Sequence, residues 1–219
     1  MRPRIVGVIF SRTDLRRALR MRNPPDLFEL RLDALAGCIP EVKSALSRLG
    51  APIIITARHP REGGINQLSG PQRRAMLLEF LSRAKYVDLE LRSADSFLPI
   101  LRAARRRRVR TIISFHDFER APTASQLDKI TTVASSLGAG VVKIAVRTDT
   151  AAQLETLLDF FEGHRHRMKL VAMGIGKLGR ASRIELARRG CLLNYGHLGA
   201  PAAPGQLSVE ELRRLLSCR

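Results

Sequence analysis

The stretch Gly140-Val141-Val142-Lys143-Ile144-Ala145-Val146 decides the fold. It is a short apolar run rich in β-branched residues, opened by Gly and followed by polar residues, the pattern of a buried strand. Alternation puts Val141, Lys143 and Ala145 on one face and Val142, Ile144 and Val146 on the other. A strand that is apolar on both faces belongs to a parallel sheet covered by helices. Lys143 is the exception in it. An amine buried there is costly to keep charged without partners, so its proton affinity is expected to fall. A neutral amine in a dry pocket is a nucleophile for carbonyl groups. The plain alternative is a lysine whose stem snorkels from the strand end and does no chemistry.

Outward from this run, strand-like and helix-like pieces alternate along the whole chain. Strands are predicted over Arg4–Phe10, Leu27–Leu32, Pro52–Ala57, Tyr86–Leu91, Val109–Phe115, Val141–Val146, Lys169–Met173 and Cys191–Tyr195. Helices are predicted over Asp14–Arg20, Pro40–Leu49, Gly70–Ala84, Ser93–Arg107, Ala124–Leu137, Thr150–His164, Arg180–Arg189 and Gln206–Leu216. Apolar residues recur at helical spacing within these pieces, as in Leu127, Ile130, Val133, Ala134 and Leu137. Ser125 or Thr123 is expected to cap the fifth helix and Asp149 the sixth. Gly50, Gly138, Gly163 and Gly190 sit where helices should stop. Eight β-then-α units point to a single (β/α)8 TIM barrel over residues 1–219, shorter than the typical ~250 residues and so with short loops. A doubly wound open sheet would want a Gly-rich phosphate turn after the first strand, and Phe10-Ser11-Arg12-Thr13 is not one.

At 219 residues and 45% hydrophobic, the chain can bury a full core, and no segment approaches the unbroken apolar stretch of a membrane span. Cys38, Cys191 and Cys218 are widely spaced with no C-x-x-C pattern, which argues against a disulfide framework or a zinc site and for a reducing cytoplasm. The 38 Lys and Arg against 20 Asp and Glu give a formal charge of +18, so a nucleic-acid surface has to be weighed. Most of that charge is arginine spread along helices, the one dense run being Arg105 to Arg108. Aromatics are few and Trp is missing, so platforms for stacking bases are scarce. Solvated helix faces that steer anionic ligands are the better reading.

In a barrel the chemistry sits at the C-terminal strand ends and in the loops that follow. The second strand ends Glu29-Leu30-Arg31-Leu32-Asp33, charged at period two. The third ends Thr56-Ala57-Arg58 with Glu62-Gly63-Gly64 beyond, and the fourth carries Asp88-Leu89-Glu90. The fifth ends Ser114-Phe115-His116-Asp117-Phe118, the sixth holds Lys143, and the seventh runs through Met173-Gly174 toward Ser182-Arg183. Taken singly, each could be an internal ion pair or a core histidine. Recurrence at one end of successive strands, on the face a barrel turns inward, is costly unless a polar site uses it. Lys143 can form an imine with a ketone, and His116 on the neighbouring strand can remove the adjacent proton. Glu62 or Glu90 can orient that imidazole. Arg58 and Arg183 offer bidentate docking for a carboxylate, and Glu29 and Arg31 can bind hydroxyls. This describes a Schiff-base lyase acting on a small hydroxylated keto acid. A class I aldolase or transaldolase-like barrel is the alternative enzyme, although a clear Gly-rich phosphate cradle after the last two strands is missing.

These motifs, in this order and over nearly the whole chain, resemble the type I 3-dehydroquinate dehydratases; Ala203-Pro204-Gly205-Gln206 completes the match. The resemblance implies a cofactor-free, metal-free dehydration of 3-dehydroquinate to 3-dehydroshikimate in a homodimer. By position it implies Lys143 as the imine-forming residue, His116 as the general acid and base, and Glu62 as its partner. It further implies Glu29, Arg31, Arg58, Arg183 and Gln206 as substrate-binding residues, and Gly196–Gln206 as a lid, a role its Gly and Pro content suits. Three departures stand out. Ala202 replaces a common lid serine; Arg120-Ala121-Pro122-Thr123 departs from the usual Thr-Pro order, which is expected only to shift a helix cap; and an N-terminal extension that closes the barrel floor in many relatives is expected to be missing.

Overall fold

The structure is a computed structural model that describes residues 2–217; Cys218 lies outside them. Eight strands, β1 (Arg4–Ile9), β2 (Leu27–Arg31), β3 (Ile53–Thr56), β4 (Tyr86–Glu90), β5 (Arg110–Asp117), β6 (Val141–Arg147), β7 (Leu170–Ile175) and β8 (Leu193–His197), form one parallel sheet. Its order runs from β7 down to β1, and β1 then pairs with β8. Eight helices follow in turn: α1 (Arg12–Arg20), α2 (Ile39–Ala45), α3 (Gly70–Phe80), α4 (Leu98–Arg106), α5 (Ala124–Ser136), α6 (Ala151–His164), α7 (Gly179–Arg188) and α8 (Val209–Ser217). This is a (β/α)8 barrel, closed by backbone ladders at every junction except the β7–β8 seam. There Cys191 lies with its Sγ 3.7 Å from the Ala172 carbonyl. Cys38 and Cys191 are buried and free. Among the described residues no helix is long and apolar enough to cross a membrane.

The ladder fixes which residues meet. Ser114 pairs with Lys143 and His116 with Ala145, so His116 stands two residues nearer the C-terminal rim on the strand beside the lysine. The opposite faces carry Phe28, Leu30, Val87, Leu89, Val142 and Ile144, all buried against the helical layer. Helix starts are pinned by one recurring device, Ser or Thr followed three residues later by Gln. Ser69 with Gln72, Thr123 with Gln126 and Thr150 with Gln153 each form the reciprocal capping box.

The corrections to the sequence reading are local. Thr150, not Asp149, caps α6; the Asp149 carboxylate instead accepts from the Lys177 backbone and the Arg147 side chain. Thr123 caps α5, and Ser125 is already inside it. Gly163 lies within the last turn of α6 rather than beyond it. The segment after β4 begins as a short 3₁₀ turn, and α4 starts only at Leu98, where Pro99 occupies the first turn. Strands β5, β7 and β8 each run two residues further than hydropathy indicates.

Candidate active site

Lys143 points into the barrel and is 3% exposed. It is buried as the sequence requires, but it is not without partners. Its Nζ lies 3.0 Å from Asp88 Oδ2 and 3.6 Å from Glu29 Oε1. The face of the Tyr195 ring lies 4.0 Å away, centroid to Nζ. Glu29 also accepts from Thr56 Oγ1 at 2.8 Å, which fixes its carboxylate on the neighbouring strand.

Asp88 is the hub beneath the lysine. Its oxygens accept from Ser114 Oγ at 2.5 Å and from the two terminal nitrogens of Arg58 at 3.2 and 3.1 Å. Burial works against its charge, but Arg58 and then Lys143 outweigh it and hold the carboxyl well below the usual range. Arg58 therefore departs from the expectation of a free docking arginine. Its fork is committed to Asp88, with Ser114 and Glu90 also in reach, although the residue still borders the pocket. Glu90 in turn accepts from Arg73 at 2.9 Å and from the His59 amide, and so belongs to the supporting network.

Of the two carboxylates left open as partners of His116, the structure brings Glu62. Glu62 Oε2 lies 2.9 Å from His116 Nδ1 and accepts from the His116 amide at 3.1 Å. Its other oxygen accepts from Arg92 Nε at 2.8 Å. Burial pulls the His116 pKa well below its ordinary value, with Arg58 and Lys143 adding to it, so the imidazole is neutral. With Nδ1–H donated to Glu62, Nε2 is the basic nitrogen. Arg58 Nη1, 3.4 Å from the same Nδ1, then meets a second donor and forms no hydrogen bond there. Glu62 itself is pushed up to about 7, chiefly by burial, with Arg58 opposing and Glu90 adding to the rise.

The turn that delivers Glu62 explains its two glycines. Gly63 has φ +80°, where a side chain is strained, and a Cβ on Gly64 would stand 2.3 Å from the Arg58 carbonyl. The Gly63 carbonyl accepts from Arg31 Nη2 at 3.0 Å, while Arg31 grips Asp33 with Nε and Nη2 at 3.0 and 2.8 Å.

Arg183 is different. It is buried, and none of its nitrogens has a carboxylate partner among the described residues; Nε has no hydrogen-bond partner and Nη1 meets only Met173 Sδ at 3.4 Å. Burial lowers its pKa to about 10, so it is still a cation at neutral pH and lacks a counter-charge. Gln206 lies in the segment after β8, where its Oε1 accepts from the Ala202 amide at 2.7 Å.

All eight residues nominated from the sequence border one pocket of about 80 Å³ at the C-terminal end of the strands. Ala202 and Ala203, from the segment predicted as a lid, also border it. A larger cavity of about 810 Å³ opens at the other end of the barrel, beside Arg2, Asn23 and Arg213, and holds none of them. Convergent ionisable groups, not volume, mark the chemistry here. Sequence reading missed Tyr195, Arg92 and the direct contact of Asp88 with the lysine. Among the described residues no group of three or more His, Cys, Asp or Glu side chains is arranged to hold a metal ion.

Fold and site together define a (β/α)8-barrel enzyme with an inward-facing lysine beside a carboxylate-bound histidine. The chain belongs to the type I 3-dehydroquinase family, whose model matches residues 11–219, and is a hydro-lyase of that family. It is 36% identical over 219 residues to the 3-dehydroquinate dehydratase of Thermococcus gammatolerans, covering 97% of each chain. It is 34% identical over 200 residues to that of Methanothrix thermoacetophila, covering 88% of this chain and 81% of the other. The crystal structure of 3-dehydroquinate dehydratase from Geobacillus kaustophilus superposes with a TM-score of 0.89 at 25% identity, covering 100% of this chain and 91% of that one. The Clostridium difficile type I enzyme, solved with covalently modified comenic acid, gives 0.85 at 25% identity over 99% and 92%.

Proposed function

We propose that this chain converts 3-dehydroquinate to 3-dehydroshikimate through a lysine imine. The Lys143 amine, having given up its proton, adds to the C3 ketone, and the resulting carbinolamine takes a proton back as it loses water to give an iminium. His116 Nε2 then takes the C2 proton, and the electron pair of that C–H bond moves toward the C=N⁺ group to give an enamine. The enamine expels the C1 hydroxyl, which leaves as water with the proton that His116 returns. Water hydrolyses the product iminium and frees Lys143. Glu62 holds the productive tautomer, and Arg183 docks the substrate carboxylate. Glu29, Arg31, Arg58 and Gln206 bind the hydroxyl-bearing ring. The pocket is smaller than sites that enclose a ligand of this size, so the segment after β8 has to lift to admit it.

The observation that carries this reading is the buried Lys143 amine sharing one pocket with a neutral His116 held by Glu62 and with an uncompensated Arg183. The test is borohydride reduction in the presence of 3-dehydroquinate. Added ligand mass at Lys143 and irreversible loss of activity are expected, and an unchanged mass would remove the imine from consideration. The whole chain, 1–219, acts as one catalytic barrel, as a cytoplasmic homodimer. The family resemblance supports the dimer, and the scattered cysteines support a reducing compartment.

A further inference from the structure

Tyr195 sits on β8 with its ring face against the Lys143 nitrogen. It is 5% exposed and lines the pocket with Arg183, Met173 and Gln206. Its hydroxyl has no hydrogen-bond partner. Tyr195 and Arg183 also border together the narrow gap at the β7–β8 seam, and Arg183 Nε is likewise unpartnered. A buried tyrosine normally satisfies its hydroxyl, and leaving one unsatisfied destabilises a protein. Two buried donors without acceptors, in residues that line one pocket, call for a ligand that brings acceptors. A carboxylate has two oxygens and suits both. Burial, followed by Glu29 and Asp88, keeps the phenol protonated, so it remains a donor.

We propose that Tyr195 is a further substrate-binding residue, its hydroxyl donating to the same substrate carboxylate that Arg183 docks. The contact adds a second donor to the anion and ties its position to the lysine, because the ring that bears the hydroxyl is the ring packed on Lys143. The proposal rests on the imine reading of the site, and the experiment separates the two.

Tyr195→Phe keeps the ring and removes only the hydroxyl. Wild type is first treated with borohydride and 3-dehydroquinate, and failure to label Lys143 there would defeat the underlying reading before Tyr195 is judged. Given labelling, the variant should raise KM for 3-dehydroquinate about 10-fold or more, the usual weight of a hydrogen bond to a charged group, with kcat within about 3-fold. A hydroxycyclohexanone lacking the carboxylate should be trapped equally well by both proteins. The free variant should melt at or above the wild-type temperature, because a buried orphan hydroxyl has been deleted. A purely structural tyrosine would give the opposite pattern, a lower melting temperature with KM unchanged, and that result would overturn the proposal. An equal loss on both compounds would overturn it too, since it would mean that the ring had shifted.

Discussion

Replacing Arg92 by Gln should move the acid limb of the pH–rate profile. Arg92 donates to Glu62 at 2.8 Å, with its own side chain 39% exposed and that of Glu62 fully covered. Glu62 already sits at about 7, so near neutrality a small change in its surroundings changes its charge. Ionised Glu62 accepts Nδ1–H and leaves Nε2 of His116 as the base. A protonated Glu62 can donate to Nδ1 and place the hydrogen on the wrong nitrogen. A hydrogen bond to a charged group is worth about 1.5–3 kcal/mol, and solvent screening at the half-exposed Arg92 trims this to about 1.4 kcal/mol. That displaces the limb upward by about one pH unit, from about 7 to about 8. At pH 7 the ionised fraction of Glu62 then falls from about half to about a tenth, and kcat/KM falls about 5-fold. The assay is initial-rate absorbance of the enone product from pH 5.5 to 9 at fixed ionic strength, with kcat/KM reporting the free enzyme. The deficit should vanish by pH 9. A limb that stays put, or a loss that persists at pH 9, would refute the assignment of Glu62 as the titrating group.

The remaining expectations are briefer. Lys143→Ala should abolish both turnover and borohydride labelling by 3-dehydroquinate; residual labelling would point to another amine. His116→Ala should cut kcat by about 10²–10⁴-fold while the imine still forms and can be trapped, and a smaller loss would demote the imidazole. Glu62→Gln should change how stability depends on pH. The folded-state pKa of Glu62 is raised to about 7 from 4.5, so its favourable contribution is complete below pH 4.5 and is lost as pH rises through 7. The stability difference between variant and wild type should therefore move in the variant's favour by up to about 3 kcal/mol between pH 4.5 and 8, as read by urea unfolding. A difference independent of pH would show that Glu62 is not strained as a carboxylate.

The barrel itself was legible because most of its strands are apolar on the outward face, and a lone charge such as Lys143 stands out against that background. The boundaries were less so, and the errors share a cause. Hydropathy ends the fifth, seventh and eighth strands at Phe115, Met173 and Tyr195, whereas the ladders of β5 and β7 and the strand β8 continue to Asp117, Ile175 and His197. At the C-terminal rim, side chains turn polar or shrink to glycine to build a pocket while backbone pairing goes on unchanged. A reading based on side chains stops where the function begins. Two other misses did have a signal in the sequence: Thr150-x-x-Gln153 is a capping box, and Pro99 marks the first turn of α4.

What the sequence could not supply is the pairing of charges across strands. Period-two spacing places Glu29, Asp88 and Glu90 inward, but nothing local says that Asp88 takes both the lysine and the Arg58 fork while Glu90 takes Arg73. That choice follows from the register, which sets Asp88 beside Thr56 and Glu90 beside Ser114 and so places the two carboxylates at different depths in the barrel. The division has a chemical consequence. The deeper carboxylate, neutralised by Arg58, steadies the lysine end of the pocket without offering itself as a base, since it is held well below the range in which it would accept a proton. The proton-accepting capacity is left to His116, made neutral chiefly by burial, with Arg58 and Lys143 adding to the effect. Arg58 thus acts on two groups through one side chain: it holds the Asp88 carboxyl down through its fork and adds to the burial that lowers the imidazole.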